Sequence, residues 1–167
     1  MKTLYLVGGA MGVGKTTTCK LLRDSLENCA FLDGDWCWDM HPFTVNDETK
    51  AVVMDNICHT LNNFLHCSAF EHVVFCWVMH DQSIIDEILS RLGVQEVRVV
   101  SVSLVCTEEA LRERLIKDVV AGVRTPDVIA RAVARLKLYR MVDSVKVDVS
   151  RISPNEAAQR IRALAVK

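Results

Sequence analysis

Proline and glycine are scarce in this sequence: its 167 residues include three prolines and seven glycines. No stretch is rich in Pro, Gly or Ser, and no repeat or low-complexity tract occurs, so nothing marks a linker between domains. Half of the residues are hydrophobic and a quarter are charged, as in a chain that buries a full core. We therefore expect residues 1–167 to form a single globular domain.

An excess of charge of one sign is also missing, as are long apolar runs. Twenty Lys and Arg residues against 21 Asp and Glu residues give a formal net charge of −1, which disfavours nucleic acid or a membrane surface as a partner. The apolar runs 73–78 and 99–105 are far shorter than the roughly 18 residues that span a bilayer. No leader cleavage site follows Met1, so we expect a cytoplasmic protein.

Cysteine is plentiful, with seven residues, but the pairing pattern of a disulfide framework or a zinc site is absent. The number is odd, no Cys-x-x-Cys occurs, and several cysteines lie within apolar segments. Buried, reduced thiols that pack as small hydrophobic side chains are the simplest interpretation.

Apolar runs alternate with amphipathic segments along the whole chain. The pattern predicts strands at 4–7, 30–33, 73–78, 97–105 and 145–149, and helices at 15–26, 48–65, 84–92, 108–119 and from 154 onward. Ser83, Thr107 and Ser153 are the expected helix openers. Strands that are apolar on both faces and separated by helices imply a parallel sheet covered on both sides, which is a three-layer α/β/α sandwich.

Residues 9–16 carry the most specific motif. They read Gly-Ala-Met-Gly-Val-Gly-Lys-Thr, which matches Gly-x-x-x-x-Gly-Lys-Thr between a strand and a helix. The glycines let backbone amides wrap a phosphate, and the helix N-terminus adds further donors. Lys15 is expected to reach the β- and γ-phosphates and Thr16 to coordinate Mg²⁺. The predicted nucleotide-binding set in this loop is Gly9, Met11, Gly12, Val13, Gly14, Lys15, Thr16 and Thr17.

The motifs that the sequence lacks exclude several classes of phosphate-loop protein. The Asn-Lys-x-Asp and Asp-x-x-Gly motifs of small GTPases do not occur, and no transporter signature is present. A chain of 167 residues leaves no room for the extra domain of a ring ATPase. A small kinase remains as the expected class.

Two carboxylates follow the second strand. Asp33 and Asp35 lie at its carboxyl end, the edge that faces the ligand crevice in an open parallel sheet. Their spacing projects both to the same side if the backbone stays extended. We assign Asp33 to Mg²⁺ and Asp35 to accept a proton from the attacking hydroxyl. A solvated turn is the alternative interpretation. The third strand carries no acid of the kind that usually binds the metal in phosphate-loop proteins. We therefore assign that metal-binding role to Asp33.

These motifs resemble the small P-loop kinases: shikimate kinase, gluconate kinase, chloramphenicol phosphotransferase and the nucleoside monophosphate kinases. The resemblance covers nearly the whole chain and rests on residues 9–16, 33–35, 111–115, 135–139 and 145–148. It implies the strand order 2-3-1-4-5, ATP as the nucleotide, an acceptor-binding helical segment at about 36–68 and a lid at about 118–126.

The same resemblance implies roles for three arginines. Arg114 would lie near the adenine, Arg124 would reach the phosphates from the lid, and Arg135 would face the acceptor or the transferred group. The alternatives are solvating charges on exposed helices and a plain surface connection in place of the lid.

An aromatic segment follows Asp35. Trp36, Trp38 and Phe43 lie within nine residues, and we expect such an apolar segment to be covered. The tryptophans suit stacking on a planar or sugar-face substrate, or packing of this segment onto helix 48–65. Either His41 or His80 suits a hydrogen bond to the acceptor, and Asp81 either touches the site or caps a helix. The predicted acceptor-binding residues are Asp33, Asp35, Trp36, His80 and Arg135.

The sequence favours a magnesium-dependent kinase that moves the γ-phosphate of ATP to a hydroxyl of a small molecule, with Lys15, Asp35 and Arg124 as catalytic residues. A nucleoside or nucleoside monophosphate kinase is the alternative within the fold. An ATP-binding regulatory or resistance module without turnover is the alternative from another class. No motif identifies the acceptor or an oligomeric state.

Overall fold

A computed structural model describes residues 1–93 and 96–165. The strands are β1 (Lys2–Gly9), β2 (Cys29–Asp33), β3 (His72–Trp77), β4 (Val97–Val105) and β5 (Val145–Asp148). The helices are α1 (Lys15–Asp24), α2 (Asp47–His66), α3 (Gln82–Ser90), α4 (Glu108–Val120), α5 (Val128–Leu136) and α6 (Pro154–Leu164). Two 3-10 turns cover Gly34–Trp38 and Lys137–Arg140.

The five strands form one parallel sheet in the order β2-β3-β1-β4-β5. This confirms the predicted order and the α/β/α class. The central strand β1 is buried from Thr3 to Gly9, as expected for a strand that is covered on both faces. Leu6 lies between Phe75 of β3 and Ser101 of β4. The phosphate loop therefore leaves the middle of the sheet, at the edge where parallel strands present their carboxyl ends.

Local capping sets the helix starts. Thr107 accepts a hydrogen bond from the Ala110 amide, and Ser153 forms a capping box with Glu156, as predicted. The start predicted for the third helix is wrong: α3 begins at Gln82, and its cap is Asp81. The Asp81 carboxylate accepts from both the amide and the hydroxyl of Ser83, so Asp81 occupies the capping position and Ser83 lies inside the helix.

One continuous apolar cluster joins the sheet to the helices around it. Its fully buried members include Leu6 of β1, Leu22 of α1, Ile57 of α2 and Ile161 of α6. Helices α1 and α6 pack against each other, so the C-terminal helix supports the helix that follows the phosphate loop. Within the described ranges 1–93 and 96–165, no helix is both long enough and apolar enough to cross a bilayer.

Candidate active site

The phosphate loop, residues 9–16, has the left-handed backbone that its glycines permit. Gly12 has φ +83° and Gly14 has φ +101°, a region that side chains with a Cβ rarely adopt. Gly12 also lies against α4, because a Cβ at this position would be 2.4 Å from Leu115 Cδ2. Gly14 is the N-cap of α1, so the positive end of that helix opens into the loop.

Lys15 is buried beneath the loop. Its Nζ donates hydrogen bonds to the carbonyl oxygens of Gly9, at 2.9 Å, and Ala10, at 3.1 Å. Burial lowers the pKa of Lys15, and the nearby Cys76 thiol and the carboxylates of Asp35 and Asp33 oppose that shift. The Lys15 amine is therefore within electrostatic range of both predicted carboxylates.

Thr16 and Asp33, the two residues predicted to hold Mg²⁺, contact each other. The Thr16 hydroxyl donates to Asp33 Oδ2 at 2.6 Å, and Asp33 is only 4% exposed. A hydroxyl and a carboxylate in contact suit Mg²⁺, which prefers oxygen ligands and is usually held by one or two carboxylates together with substrate phosphates. In the part of the chain that the structure describes, no group of three or more His, Cys, Asp or Glu side chains is placed to hold a metal ion.

Asp35 begins the 3-10 turn after β2. Its amide donates to Asp33 Oδ1 at 3.1 Å, which fixes the spacing of the two acids. Asp35 is reachable by solvent, but the surrounding protein removes part of its hydration. This desolvation and the charge of Asp33 raise the pKa of Asp35, whereas Lys15, Arg124 and the Trp77 side chain lower it. A carboxyl of this kind is suited to accept a proton.

Arg124 approaches this site from the connection after α4. Its Nε donates to Asp118 Oδ2 at 3.0 Å, and its charge acts on Asp35. Residues 118–126 thus place a guanidinium near the predicted base.

The structure shows where Arg114 lies. Its Nη1 donates to the Val13 carbonyl oxygen at 3.1 Å, and its Nη2 donates to the carbonyl oxygen of Val149. The guanidinium therefore ties α4 to the phosphate loop and to the end of β5. Its place near the adenine stays a prediction, as does nucleotide contact by Thr17, which is exposed on α1.

A cavity of about 980 Å³ lies between the phosphate loop, the 3-10 turn and α2. We call it the acceptor cavity. It brings together Met11 of the loop and four of the predicted acceptor residues: Asp35, Trp36, His80 and Arg135. Asp33 does not line it, because its side chain turns toward Thr16. The complete lining is Met11, Asp35, Trp36, Trp38, Asp39, Phe43, Val45, Lys50, Ala51, Met54, Trp77, Val78, His80, Ile84, Glu87, Arg91 and Arg135.

His80 and Arg135 are neighbours in this cavity. Burial and the Arg135 charge lower the pKa of His80, which favours the neutral form of its ring. Its Nδ1 is buried and has no hydrogen-bond partner in the described chain. Arg131, one turn from Arg135, instead pairs with Asp127 at 2.8 Å on the surface.

Trp77 is a site residue that the sequence motifs do not reveal. The apolar run 73–78 places it inside the third strand, but it is the last residue of β3 and lines the acceptor cavity. Its ring packs on Gly34, where a Cβ would lie 2.6 Å from ring carbons. Its place at the carboxyl end of an inner strand was the available signal.

The expectation that the aromatic segment is covered is wrong for two of its members. Trp36 is 54% exposed and Phe43 is 67% exposed. Trp38 is half-buried and contacts Phe43, with ring centroids 5.9 Å apart. The segment therefore forms an open wall of the acceptor cavity.

A family model described as "AAA domain" matches residues 6–125. A search of curated proteins finds no match. Solved structures do match. The tunicamycin resistance protein of Deinococcus radiodurans has a TM-score of 0.73 at 17% identity, over 99% of this chain and 96% of that one.

Two named kinases are also similar. A gluconokinase from Sinorhizobium meliloti has a TM-score of 0.70 at 19% identity, over 98% of this chain and 94% of that one. The shikimate kinase of Acinetobacter baumannii, in complex with shikimate, has a TM-score of 0.64 at 22% identity, over 99% and 93%. At these identities the likeness shows the fold, which is that of the P-loop small-molecule kinases.

Proposed function

This chain belongs to the AAA domain family, and we propose that it is a kinase that transfers the γ-phosphate of ATP to a hydroxyl of a small molecule. One observation carries the proposal: Asp35 lines the acceptor cavity, and its amide donates a hydrogen bond to Asp33, which in turn accepts from the Thr16 hydroxyl of the phosphate loop. A nucleotide hydrolase transfers the phosphoryl group to water and needs no cavity for an organic acceptor beside its base. ATP is the proposed donor because the guanine-reading motif is missing.

The proposed reaction follows from this arrangement. The acceptor hydroxyl oxygen attacks the γ-phosphorus, its proton passes to an Asp35 carboxylate oxygen, and the bond from the γ-phosphorus to the bridging oxygen breaks to release ADP. Lys15 and Arg124 stabilise the negative charge on the transferring group. Thr16 and Asp33 would hold Mg²⁺, which when bound neutralises charge on the β- and γ-phosphates.

Residues 118–126 are the proposed lid. They carry Arg124, and closure of such a segment excludes water from the reacting groups and so favours transfer over hydrolysis. We also assign acceptor binding to the segment at about 36–68, because Trp36, Phe43 and Met54 of this segment line the acceptor cavity.

Substitution of Asp35 tests the proposal. Asp35→Asn keeps the size of the side chain but removes the proton acceptor, so kcat is expected to fall at least about 100-fold while ATP affinity stays within about twofold of the wild type. Asp39→Asn is the matched control, because Asp39 is an exposed acid on the same cavity wall. ADP release and nucleotide binding are the two measurements. Equal turnover in Asp35→Asn and the wild type would refute the assigned base.

Tunicamycin belongs in the acceptor panel for these assays, because a tunicamycin resistance protein shares this fold with a TM-score of 0.73. Shikimate and gluconate belong in it for the same reason, since a shikimate kinase and a gluconokinase are also similar in structure.

A further inference from the structure

The walls of the acceptor cavity are mainly aromatic and aliphatic. All three tryptophans of the sequence, Trp36, Trp38 and Trp77, line it. Phe43 and Met54 extend the same surface. Trp36 and Phe43 remain more than half exposed, and contiguous exposed apolar surface of this kind marks a binding site.

Each of the three tryptophan rings packs against a neighbouring residue of the protein. Trp36 packs edge-to-face on buried Phe31 of β2, with centroids 5.3 Å apart. Trp38 contacts Phe43 at 5.9 Å, and Trp77 packs on Gly34. A wall that is already ordered loses little side-chain entropy when an apolar group binds it. The site is therefore prepared for apolar surface and not only for hydroxyl groups.

The charges of the cavity do not suit an anionic acceptor. Arg91 lies 2.5 Å from both Asp55 and Glu87, and Lys50 lies 3.7 Å from Asp47. In residues 1–93 and 96–165, Arg135 is the cavity cation without a carboxylate within 4 Å. The unpaired charges of the cavity are therefore Arg135 and two exposed acids, Asp35 and Asp39. The unpaired acids outnumber the unpaired cation, which disfavours an acceptor that carries a carboxylate or a phosphate.

One neutral polar side chain suited to a hydroxyl lines the cavity together with the proposed base. His80 and Asp35 both line it, and burial and the Arg135 charge lower the pKa of His80, which favours the neutral ring. A neutral imidazole can donate to or accept from a hydroxyl group.

We propose that the acceptor cavity takes an uncharged amphipathic alcohol, whose hydroxyl group meets Asp35 and His80 and whose aromatic or aliphatic portion packs on Trp36, Trp38 and Phe43. This inference rests on the proposed kinase function, since it names the substrate class of the same site. It places sugar acids and nucleoside monophosphates outside that class.

Tryptophan fluorescence tests the proposal directly, because every tryptophan of the protein lines this one cavity. Methyl, phenyl and octyl β-glucosides carry the same ring hydroxyls and differ in their apolar portion, so they are the probes, with octyl β-glucoside used below its micelle concentration. Gluconate, shikimate and AMP are the anionic comparison. We expect the phenyl and octyl compounds to bind at least about 10-fold more tightly than the methyl compound and the three anions. Tighter binding of any of the anions, or no binding of the phenyl and octyl compounds, would overturn the proposal.

A substitution of Trp36 tests whether the aromatic wall binds the apolar portion of the ligand. Trp36→Ala should weaken binding of the phenyl and octyl compounds at least about fivefold and leave methyl β-glucoside unchanged. Val120→Ala, at a residue of α4 that is 84% exposed and not part of the cavity lining, is the control and should change none of these affinities. Equal losses for all three glucosides in Trp36→Ala would contradict the assigned packing.

ADP release in the same samples keeps the two proposals distinguishable. Binding of the phenyl or octyl compound without ADP release would refute the kinase function and support the ligand class. ADP release with gluconate, shikimate or AMP alone would support the kinase function and overturn the ligand class.

Discussion

Asp33 and Asp35 are two residues apart but lie in different surroundings. Asp33 is buried and accepts hydrogen bonds from the Thr16 hydroxyl and the Asp35 amide. Asp35 reaches solvent through the acceptor cavity, and its pKa is raised by desolvation and by Asp33. Carboxylates with such different environments are suited to different roles, which is why we assign one to the metal and the other to the proton.

Arg124 should set the pH dependence of the reaction. Its positive charge lowers the pKa of Asp35, so Arg124→Gln should raise that pKa further. Asp35 accepts a proton only when it is ionised, so the acidic limb of the kcat/KM profile should move to higher pH in this variant. Arg131→Gln is the control, because Arg131 pairs with Asp127 on the surface. Coincident acidic limbs in the wild type and both variants would contradict the role of Arg124.

Asp33 should set the magnesium requirement. Asp33→Asn retains an oxygen that can accept from the Asp35 amide, but it removes the charge next to Thr16. The Mg²⁺ concentration for half-maximal activity should rise at least about 10-fold, since Mg²⁺ sites depend on carboxylate ligands. A titration of ADP release with Mg²⁺ measures this. Asp24→Asn, at a surface acid paired with Arg23, should leave the titration unchanged; an unchanged midpoint in Asp33→Asn would exclude the assigned ligand.

At the scale of the elements, α4 supports the phosphate loop. Arg114 of α4 donates to the Val13 carbonyl oxygen, and Leu115 packs against Gly12. The same helix leads into the segment that carries Arg124. Loop and proposed lid are thus connected through one helix.

Gly12→Ala should break this contact. The new Cβ would lie 2.4 Å from Leu115 Cδ2 at a backbone φ of +83°, so overpacking and left-handed strain add to a loss of roughly 2–5 kcal/mol in the free energy of unfolding. Gly122→Ala is the matched control, because its φ is +71° and no atom lies within 4 Å of the new Cβ. Gly122→Ala should lower the free energy of unfolding only through left-handed backbone strain, by about 1–2 kcal/mol. Urea unfolding measures both, and equal losses would contradict the packing of Gly12 on α4.

Local patterns predicted the elements better than the site. The Thr107 cap, the Ser153 capping box and the phosphate loop are encoded by neighbouring residues, and they were predicted from sequence. The contacts of Arg114 were not, because its two acceptors lie 101 and 35 residues away along the chain. The exposure of Trp36 was predicted wrongly because the rule that apolar segments are covered does not hold where a cavity is open to a ligand. The strand order came from the family resemblance and not from periodicity.

At the scale of the whole molecule, the sheet presents its functional groups at one edge. The phosphate loop follows β1, the two acids end or follow β2, and His80 follows β3. These three strands are adjacent in the sheet, so parallel pairing alone brings residues of distant sequence positions to one cavity. The C-terminal helix α6 packs on α1 behind this edge.

Loss of packing at α6 should therefore destabilise the whole protein. Ile161 of α6 is fully buried, so Ile161→Ala should lower the free energy of unfolding by roughly 2–5 kcal/mol through lost burial and a residual cavity. Val120→Ala, at an exposed position, should change it by less than about 0.5 kcal/mol. Thermal or urea unfolding checks both values. A change below about 1 kcal/mol in Ile161→Ala would show that α6 is not part of the cooperative core.

The most direct test of the proposed function is acceptor-dependent release of ADP by the purified protein with magnesium and ATP. The panel contains amphipathic alcohols, tunicamycin, sugars and sugar acids, shikimate, nucleosides and nucleoside monophosphates, each compared with the rate without acceptor. We predict that an alcohol in the panel raises ADP release well above that rate and gains one phosphoryl group by mass spectrometry, and that Asp35→Asn abolishes both. Nucleotide binding with no acceptor-dependent release across the panel would contradict the kinase function and favour a regulatory nucleotide-binding module.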